Sequence, residues 1–129
     1  MKEKDLAAYQ GSEFTIEWYS DKSGKIPALE FFMELTEKEQ NKLFLLFRRM
    51  GEFGRISDTT KFNHEGDQIY AFKPQPNRFL CFFQLGKKVI VTSAFCKKQQ
   101  KIPKREKDRS LQCRKDYLKR VELGEYYEN

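Results

Sequence analysis

The chain has 129 residues, which suits one domain with a modest core, so we expect 1–129 to form a single domain. Its net charge of +6 favours a polyanionic partner such as nucleic acid. It contains no apolar stretch near the roughly 20 residues of a membrane span and no signal-peptide pattern, so we expect a cytoplasmic protein without membrane contact. The three cysteines lack the paired spacing of zinc ligands, and we expect neither a metal nor another cofactor.

The N-terminal half shows one strand pattern followed by two helix patterns. Residues 1–12 are polar, which predicts a loose arm. The β-branched and aromatic run at 14–19 predicts the first strand. Pro27 suits the first turn of a helix, and the capping-box pattern at 36–39 opens a second helix that ends near Gly51. Together these signals predict a helical hairpin that covers a sheet.

The C-terminal half shows three strand patterns followed by a helix pattern. The predicted strands are 69–73, 78–85 and 89–95. Good helix formers at 104–120 predict a final helix, and we expect the acidic tail 121–129 to be loose. The order is strand, helical hairpin, three-stranded antiparallel meander and C-terminal helix, which predicts a small α+β domain.

The predicted turns determine which side chains share a face of the meander. A two-residue turn at Gly86-Lys87 sets Leu85 opposite Lys88 and, further along, Arg78 opposite Phe95, while a four-residue loop sets Lys73 opposite Arg78. One face then carries an apolar patch of Ile69, Ala71, Leu80, Phe82, Val89 and Val91. It continues into a cationic end with Lys73, Arg78, Ser93 and Phe95, beside Lys97 and Lys98. Such an end suits a clamped phosphate and a stacked base, although strand-end cations are also commonly just solvated.

Basic residues are concentrated between Lys97 and Arg120. This segment has eleven basic and three acidic side chains, so its net charge of +8 exceeds that of the whole chain. A local excess indicates polyanion binding better than the pI does. The alternative is a solvated helix face whose acids pair with neighbouring bases. The thin apolar face disfavours an amphipathic membrane helix.

Three sequence blocks, taken in order, resemble one protein family. The blocks are Ile69-Tyr70-Ala71-Phe72-Lys73, Arg78-Phe79-Leu80-Cys81-Phe82-Phe83, and the spaced set Phe95, Lys97, Lys98, Lys101, Pro103 and Glu106. Their order resembles the phage-derived HigB-like branch of the RelE superfamily, and the likeness covers most of 14–120. The resemblance implies the small RelE-like α+β fold.

The resemblance also implies the toxin of a type II toxin–antitoxin system. Such a toxin is an endoribonuclease that cleaves messenger RNA on the ribosome, where it contacts ribosomal RNA. An antitoxin protein encoded by the adjacent gene neutralises it. The 2′-hydroxyl of the RNA attacks the neighbouring phosphate without a metal or another cofactor, while cationic side chains position the RNA backbone and stabilise the transition state.

The resemblance carries site residues over by position. It implies that Lys73 and Arg78 hold the scissile phosphate, and that Lys61 and Lys98 contribute RNA contacts or proton transfer. Further RNA contacts are expected from Lys97, Lys101, Lys104, Arg105 and Phe95. The nuclease requires Lys73 and Arg78 to lie on one side of the sheet, with neither buried against an internal acid.

Two departures from the family's pattern favour an alternative function. Lys73 stands where the family has an arginine, which loses the bidentate fork. Ser93 stands where many relatives have a histidine, and a serine cannot act as a base unaided. The alternative is a non-catalytic RNA- or ribosome-binding protein on the same scaffold.

Overall fold

The computed structural model describes residues 1–98 and 101–128, which form a six-stranded sheet with helices on both faces. The helices are α1 (Glu3–Leu6), α2 (Pro27–Met33), α3 (Glu37–Phe53) and α4 (Lys104–Glu122). The strands are β1 (Ala7–Gln10), β2 (Thr15–Trp18), β3 (Phe62–His64), β4 (Tyr70–Phe72), β5 (Asn77–Gln84) and β6 (Lys88–Cys96). Their order is β1-β2-β6-β5-β4-β3, and β2 pairs with β6 in parallel. The α+β class, the helical hairpin, the antiparallel meander and the C-terminal helix are confirmed.

The sheet separates two apolar layers, each covered by helices. On the side of α2 and α3, the ring of Trp18 contacts those of Phe32 and Phe47, both with centroid distances of 5.6 Å. On the side of α4, Tyr117 meets the ring of Phe82 edge to face at 5.5 Å. Aromatic side chains bury large areas, which explains how so polar a chain supports two cores. None of the helices in the described residues is both long and apolar enough to cross a membrane.

Local chemistry explains where α3 begins and ends. Thr36 and Glu39 form the predicted capping box, each side chain accepting from the backbone N–H of the other residue. The helix continues past Gly51 and is capped by Gly54, whose φ of 77° is left-handed. The predicted end near Gly51 is therefore wrong. Gly51 serves a close approach instead, because a Cβ there would lie 2.6 Å from a ring carbon of Tyr9.

Residues 1–12 are folded, so the predicted loose arm is wrong. They form α1 and the edge strand β1, which pairs with β2. Leu6 is fully buried. Gly11 lies so close to α3 that a Cβ on it would be 2.2 Å from the backbone of Gly51. These are long-range contacts, so the polarity of the local sequence does not reveal them.

The tail after α4 is folded as far as Glu128, so the prediction of a loose end at 121–129 is also wrong for the described residues. The Tyr127 hydroxyl donates to the fully buried carboxylate of Glu17 at 2.6 Å. The Glu128 carboxylate accepts from the amino group of Met1 at 3.0 Å, so the two ends meet. Aromatic residues within the acidic tail supply the buried area that anchors it.

The short strand β3 is present where the sequence predicts a loop. It pairs with β4 in an antiparallel register that sets Phe62 opposite Phe72. Strands of three residues are too short to show an alternating pattern, which explains why this one was missed. The meander therefore has four strands, with β3 at its outer edge.

Candidate nucleic-acid interface

The hairpin of β5 and β6 turns over three residues, one more than the sequence predicts. Leu85, Gly86 and Lys87 form the turn, so Gln84 opposes Lys88. The predicted pair of Leu85 with Lys88 is wrong. Gly86 and Lys87 both have left-handed φ values, 85° and 59°, and Leu85 is 89% exposed, so no packing holds it in the strand.

A β-bulge in the same hairpin offsets this shift. Thr92 is an extra residue in β6, and beyond it Arg78 opposes Phe95 as predicted. On the turn side, Val89 and Val91 point towards α2 and α3 instead of sharing the cationic face. That part of the predicted face is wrong. The part that carries Arg78 is confirmed, because the longer turn and the bulge cancel.

Three cations meet where β4, β5 and β6 have their adjacent ends, and we call this set the cationic corner: Lys73, Arg78 and Lys97. The register of β4 with β5 continues to set Lys73 opposite Arg78, on the side of the sheet that α4 covers. The backbone N–H of Lys97 donates to the Pro76 carbonyl at 3.0 Å, which fixes the end of β6 beside β5. Burial lowers the pKa of Lys73, and the positive charges of Arg78 and Lys97 add to this effect.

Arg78 is almost completely buried at the centre of the corner. It is 5% exposed, and its guanidinium donates to the Gln75 side chain at 3.2 Å and to the Asn77 carbonyl at 2.9 Å. Its buried Nε has no hydrogen-bond partner among the described residues. Burial lowers the pKa of Arg78, yet an arginine stays protonated in proteins. The fold thus keeps a positive charge here despite an unfavourable desolvation energy, as functional sites often do.

An acid that the sequence analysis missed lies beside this corner. Glu65 Oε1 is 3.8 Å from Lys73 Nζ, which also donates to the Thr59 carbonyl at 3.1 Å. The Glu65 side chain is 20% exposed, so it is a surface acid next to a partly buried lysine. Lys73 and Arg78 lie on the same side of the sheet, as the sequence analysis required, and the acid beside Lys73 is partly exposed and not internal. The corner combines a carboxylate with its cations.

Lys98 lies apart from the cationic corner. It lines a groove of about 360 Å³ with Phe31 of α2, Cys96 and Arg105 of α4. Successive strand residues point to opposite faces, so Lys97 continues the face of Phe95 and Lys98 the face of Cys96. The two neighbouring lysines therefore point in different directions.

The other predicted RNA contacts are spread over the surface around the corner. Lys61 is exposed just before β3, and its carbonyl accepts from the Lys73 N–H at 2.8 Å. Lys101, Lys104 and Arg105 are exposed, and Lys104 pairs with Asp108 at 2.7 Å. Phe95 is 8% exposed and packs in the core under α4, so its ring does not offer the predicted stacking surface. Within the described residues, no group of three His, Cys, Asp or Glu side chains could hold a metal ion.

A second feature of the surface is the outer face of α3. Leu45 and Phe53 are 60% and 74% exposed although both are large and apolar. Arg48 and Arg49 lie between them, and the four residues line a groove of about 220 Å³. Neighbouring exposed apolar side chains that are rimmed by charged residues are a common feature of protein interaction sites.

The comparison with known families agrees with this architecture. No curated protein matches the chain. The family model for the phage derived protein Gp49-like (DUF891) matches residues 30–115, a segment from α2 to α4 that contains the whole cationic corner. The match covers more than half of the chain. The chain therefore belongs to the phage-derived Gp49-like family, a toxin-like family related to RelE and HigB.

Proposed function

We propose that this protein is the toxin of a type II toxin–antitoxin system, of the HigB type, and that it cleaves messenger RNA on the ribosome without a metal. The observation that carries the proposal is the cationic corner in a member of a toxin-like family. A phosphodiester gains negative charge in the transition state of cleavage. Cations that are already in place stabilise this charge without reorganising.

In the proposed reaction, the RNA 2′-hydroxyl attacks the adjacent phosphate and leaves a 2′,3′-cyclic phosphate and a 5′-hydroxyl. Lys73 and Arg78 hold the phosphate, and Lys97 completes the corner. Lys98, with Arg105 in its groove, contacts a neighbouring part of the strand, as do Lys61, Lys101 and Lys104. The basic excess of α4 attracts RNA and ribosomal RNA, so binding should weaken as salt rises.

The test is cleavage of a defined message on translating ribosomes by the purified chain. We expect new 3′ ends that carry a 2′,3′-cyclic phosphate. A message with a single 2′-deoxynucleotide at the cleavage position should stay intact, because it lacks the nucleophile. Intact unmodified message on ribosomes that have bound the chain would contradict the nuclease proposal.

The second candidate is a protein that binds RNA or the ribosome and does not cleave. Two observations favour it: Ser93, at the position where many relatives have a histidine, is fully buried, and Glu65 lies beside Lys73. Salt-sensitive binding to ribosomes without any cleavage would select this function over the first.

The family also suggests an antitoxin partner, and we propose that it binds the outer face of α3. Leu45 and Phe53 are eight residues apart, about 12 Å along a helix. An amphipathic helix could cover both with apolar residues at two-turn spacing and place carboxylates against Arg48 and Arg49.

Replacing both Leu45 and Phe53 with glutamate should weaken binding of the adjacent gene's protein about thirtyfold or more, as loss of interface anchors does. Isothermal titration with that protein measures the effect. Leu123→Glu is the matched control, because Leu123 is 58% exposed at the end of α4, away from α3. Cleavage should survive the double substitution. Unchanged affinity of the double variant would show that the partner binds elsewhere.

A further inference from the structure

The loop between β3 and β4 has an unusual conformation for its sequence. Gly66, Asp67 and Gln68 follow one another with left-handed φ values of 91°, 53° and 66°. Only the first is a glycine; aspartate adopts this region more readily than most other residues, whereas glutamine rarely does. Such conformations persist only where the surroundings impose them, and they concentrate at functional sites.

Two side chains of helix α4 contact this loop and hold it in place. Lys107 Nζ lies 2.8 Å from the Asp67 carboxylate, and Arg114 donates to the side chain of Gln68. At the base of the loop, the Glu65 N–H donates to the Ile69 carbonyl at 2.8 Å. The loop is therefore held at both its tip and its base. The residue that it fixes in position beside the cationic corner is Glu65.

Glu65 is close to both cations that would hold the phosphate. Its carboxylate is 3.8 Å from Lys73 Nζ, and its negative charge raises the pKa of Lys73 and of Arg78 against the effect of burial. In the sheet, β3 lies on one side of these two residues and β6, which leads to Lys97, on the other. A phosphate held between Lys73 and Arg78 would thus have a carboxylate on one side and an ammonium group on the other.

Cleavage by the 2′-hydroxyl needs a base, and the usual candidates are absent from the described corner. His64 is the chain's one histidine, and it is exposed on β3, where its ring contacts Tyr70. Ser93 is fully buried. We propose that Glu65 is the general base of the cationic corner. This assignment rests on the proposed nuclease function. It supplies the base that the 2′-hydroxyl needs.

In the proposed step, the Glu65 carboxylate takes the proton from the 2′-hydroxyl as the 2′ oxygen bonds to phosphorus. The bond from phosphorus to the 5′ oxygen breaks, and that oxygen takes a proton from the Lys97 ammonium group. Lys73 and Arg78 hold the non-bridging oxygens throughout. Water returns a proton to Lys97 and removes one from Glu65, so no other reactant is needed.

The alternative role for Glu65 is that of a counterion to Lys73, and a pH profile separates the two. Glu65→Gln should lower the single-turnover cleavage rate about a hundredfold or more and abolish its rise with pH on the acidic limb. Glu65→Asp should recover part of the rate and keep that limb. A counterion role predicts instead an unchanged or faster rate with the same pH profile in Glu65→Gln.

A modified substrate tests which proton Glu65 moves. A message with sulfur in place of the bridging 5′ oxygen has a leaving group that needs no proton. It should restore cleavage by Lys97→Met but not by Glu65→Gln. Rescue of Glu65→Gln by this substrate would overturn its assignment as the base.

Asp116→Asn is the matched control. Asp116 is 21% exposed and 2.6 Å from Arg120, so it is a similarly exposed acid that is also paired with a base, outside the corner. It should cleave like the wild type. If the wild type cleaves and Glu65→Gln cleaves equally well, the base assignment fails while the nuclease stands. If the wild type does not cleave, both fail.

Discussion

Replacing Arg78 with alanine is expected to lower the rate of messenger cleavage on the order of a hundredfold to a thousandfold, as loss of a preorganised charge donor does elsewhere. Arg78 is the most deeply buried cation of the corner, so its charge is screened by solvent least. The effect should appear in single-turnover cleavage on programmed ribosomes. Binding to the ribosome should change little, because many exposed lysine and arginine side chains outside the corner contribute to it.

Arg78→Lys tests whether the positive charge alone is enough for cleavage. Lysine keeps the positive charge but cannot present two parallel donors to a phosphate, so it should restore only part of the rate. The fold should survive both substitutions, because the guanidinium is buried with an unsatisfied Nε and is a poor contributor to stability. Arg109→Ala, which removes an exposed arginine of α4, should cleave like the wild type. A folded Arg78→Ala variant with normal activity would contradict the proposed site.

Replacing Gly11 with alanine is expected to cost about 3 kcal/mol in the free energy of unfolding, the upper range for overpacking. The new Cβ would lie 2.2 Å from the carbonyl carbon and oxygen of Gly51, and neither backbone can yield by rotating a side chain. The two segments also share hydrogen bonds, since the N–H groups of Glu13 and Phe14 donate to the Gly51 carbonyl at 2.8 and 3.0 Å. Moving β1 away from α3 would lengthen these bonds.

Urea denaturation measures this loss, and Gly24→Ala is the comparison. A Cβ at Gly24 meets no atom within 4 Å, but its φ of 90° is left-handed, so backbone strain alone should cost about 1 kcal/mol. Equal losses for the two variants would mean that the contact of Gly11 with Gly51 relaxes easily. The cationic corner is distant from this contact, so the folded fraction of Gly11→Ala should still cleave.

Local patterns in the sequence were enough to predict the class of fold and most of its elements. The capping box at Thr36 and the long apolar stretches of the meander are signals within one element, and they gave the correct helix and strands. The pairing of Arg78 with Phe95 was also predicted, but only because a longer turn and an unforeseen bulge compensate. Neither device follows from residue types alone, since a bulge is set by packing across the sheet.

What the sequence did not reveal depends on contacts between distant segments. The strand β1 forms because it pairs with β2 and packs against α3. The polar composition of this segment gives no sign of these contacts. The position of Glu65 depends on a loop that Lys107 and Arg114 of α4 hold in a left-handed conformation. A local reading of Glu65 with Gly66 predicts no more than a turn. The site's cations were found because strand register is periodic, whereas the acid lies outside any strand.

The salt bridge between Met1 and Glu128 also affects which part of the molecule unfolds first. In most domains the first and last residues fray before anything else does. Here the amino group of Met1 is paired with Glu128, and the adjacent Tyr127 is anchored on Glu17 inside the sheet. Partial unfolding would then start at the opposite edge of the sheet, where the short strand β3 pairs on one side only, and would reach the central pair of β5 and β6 last.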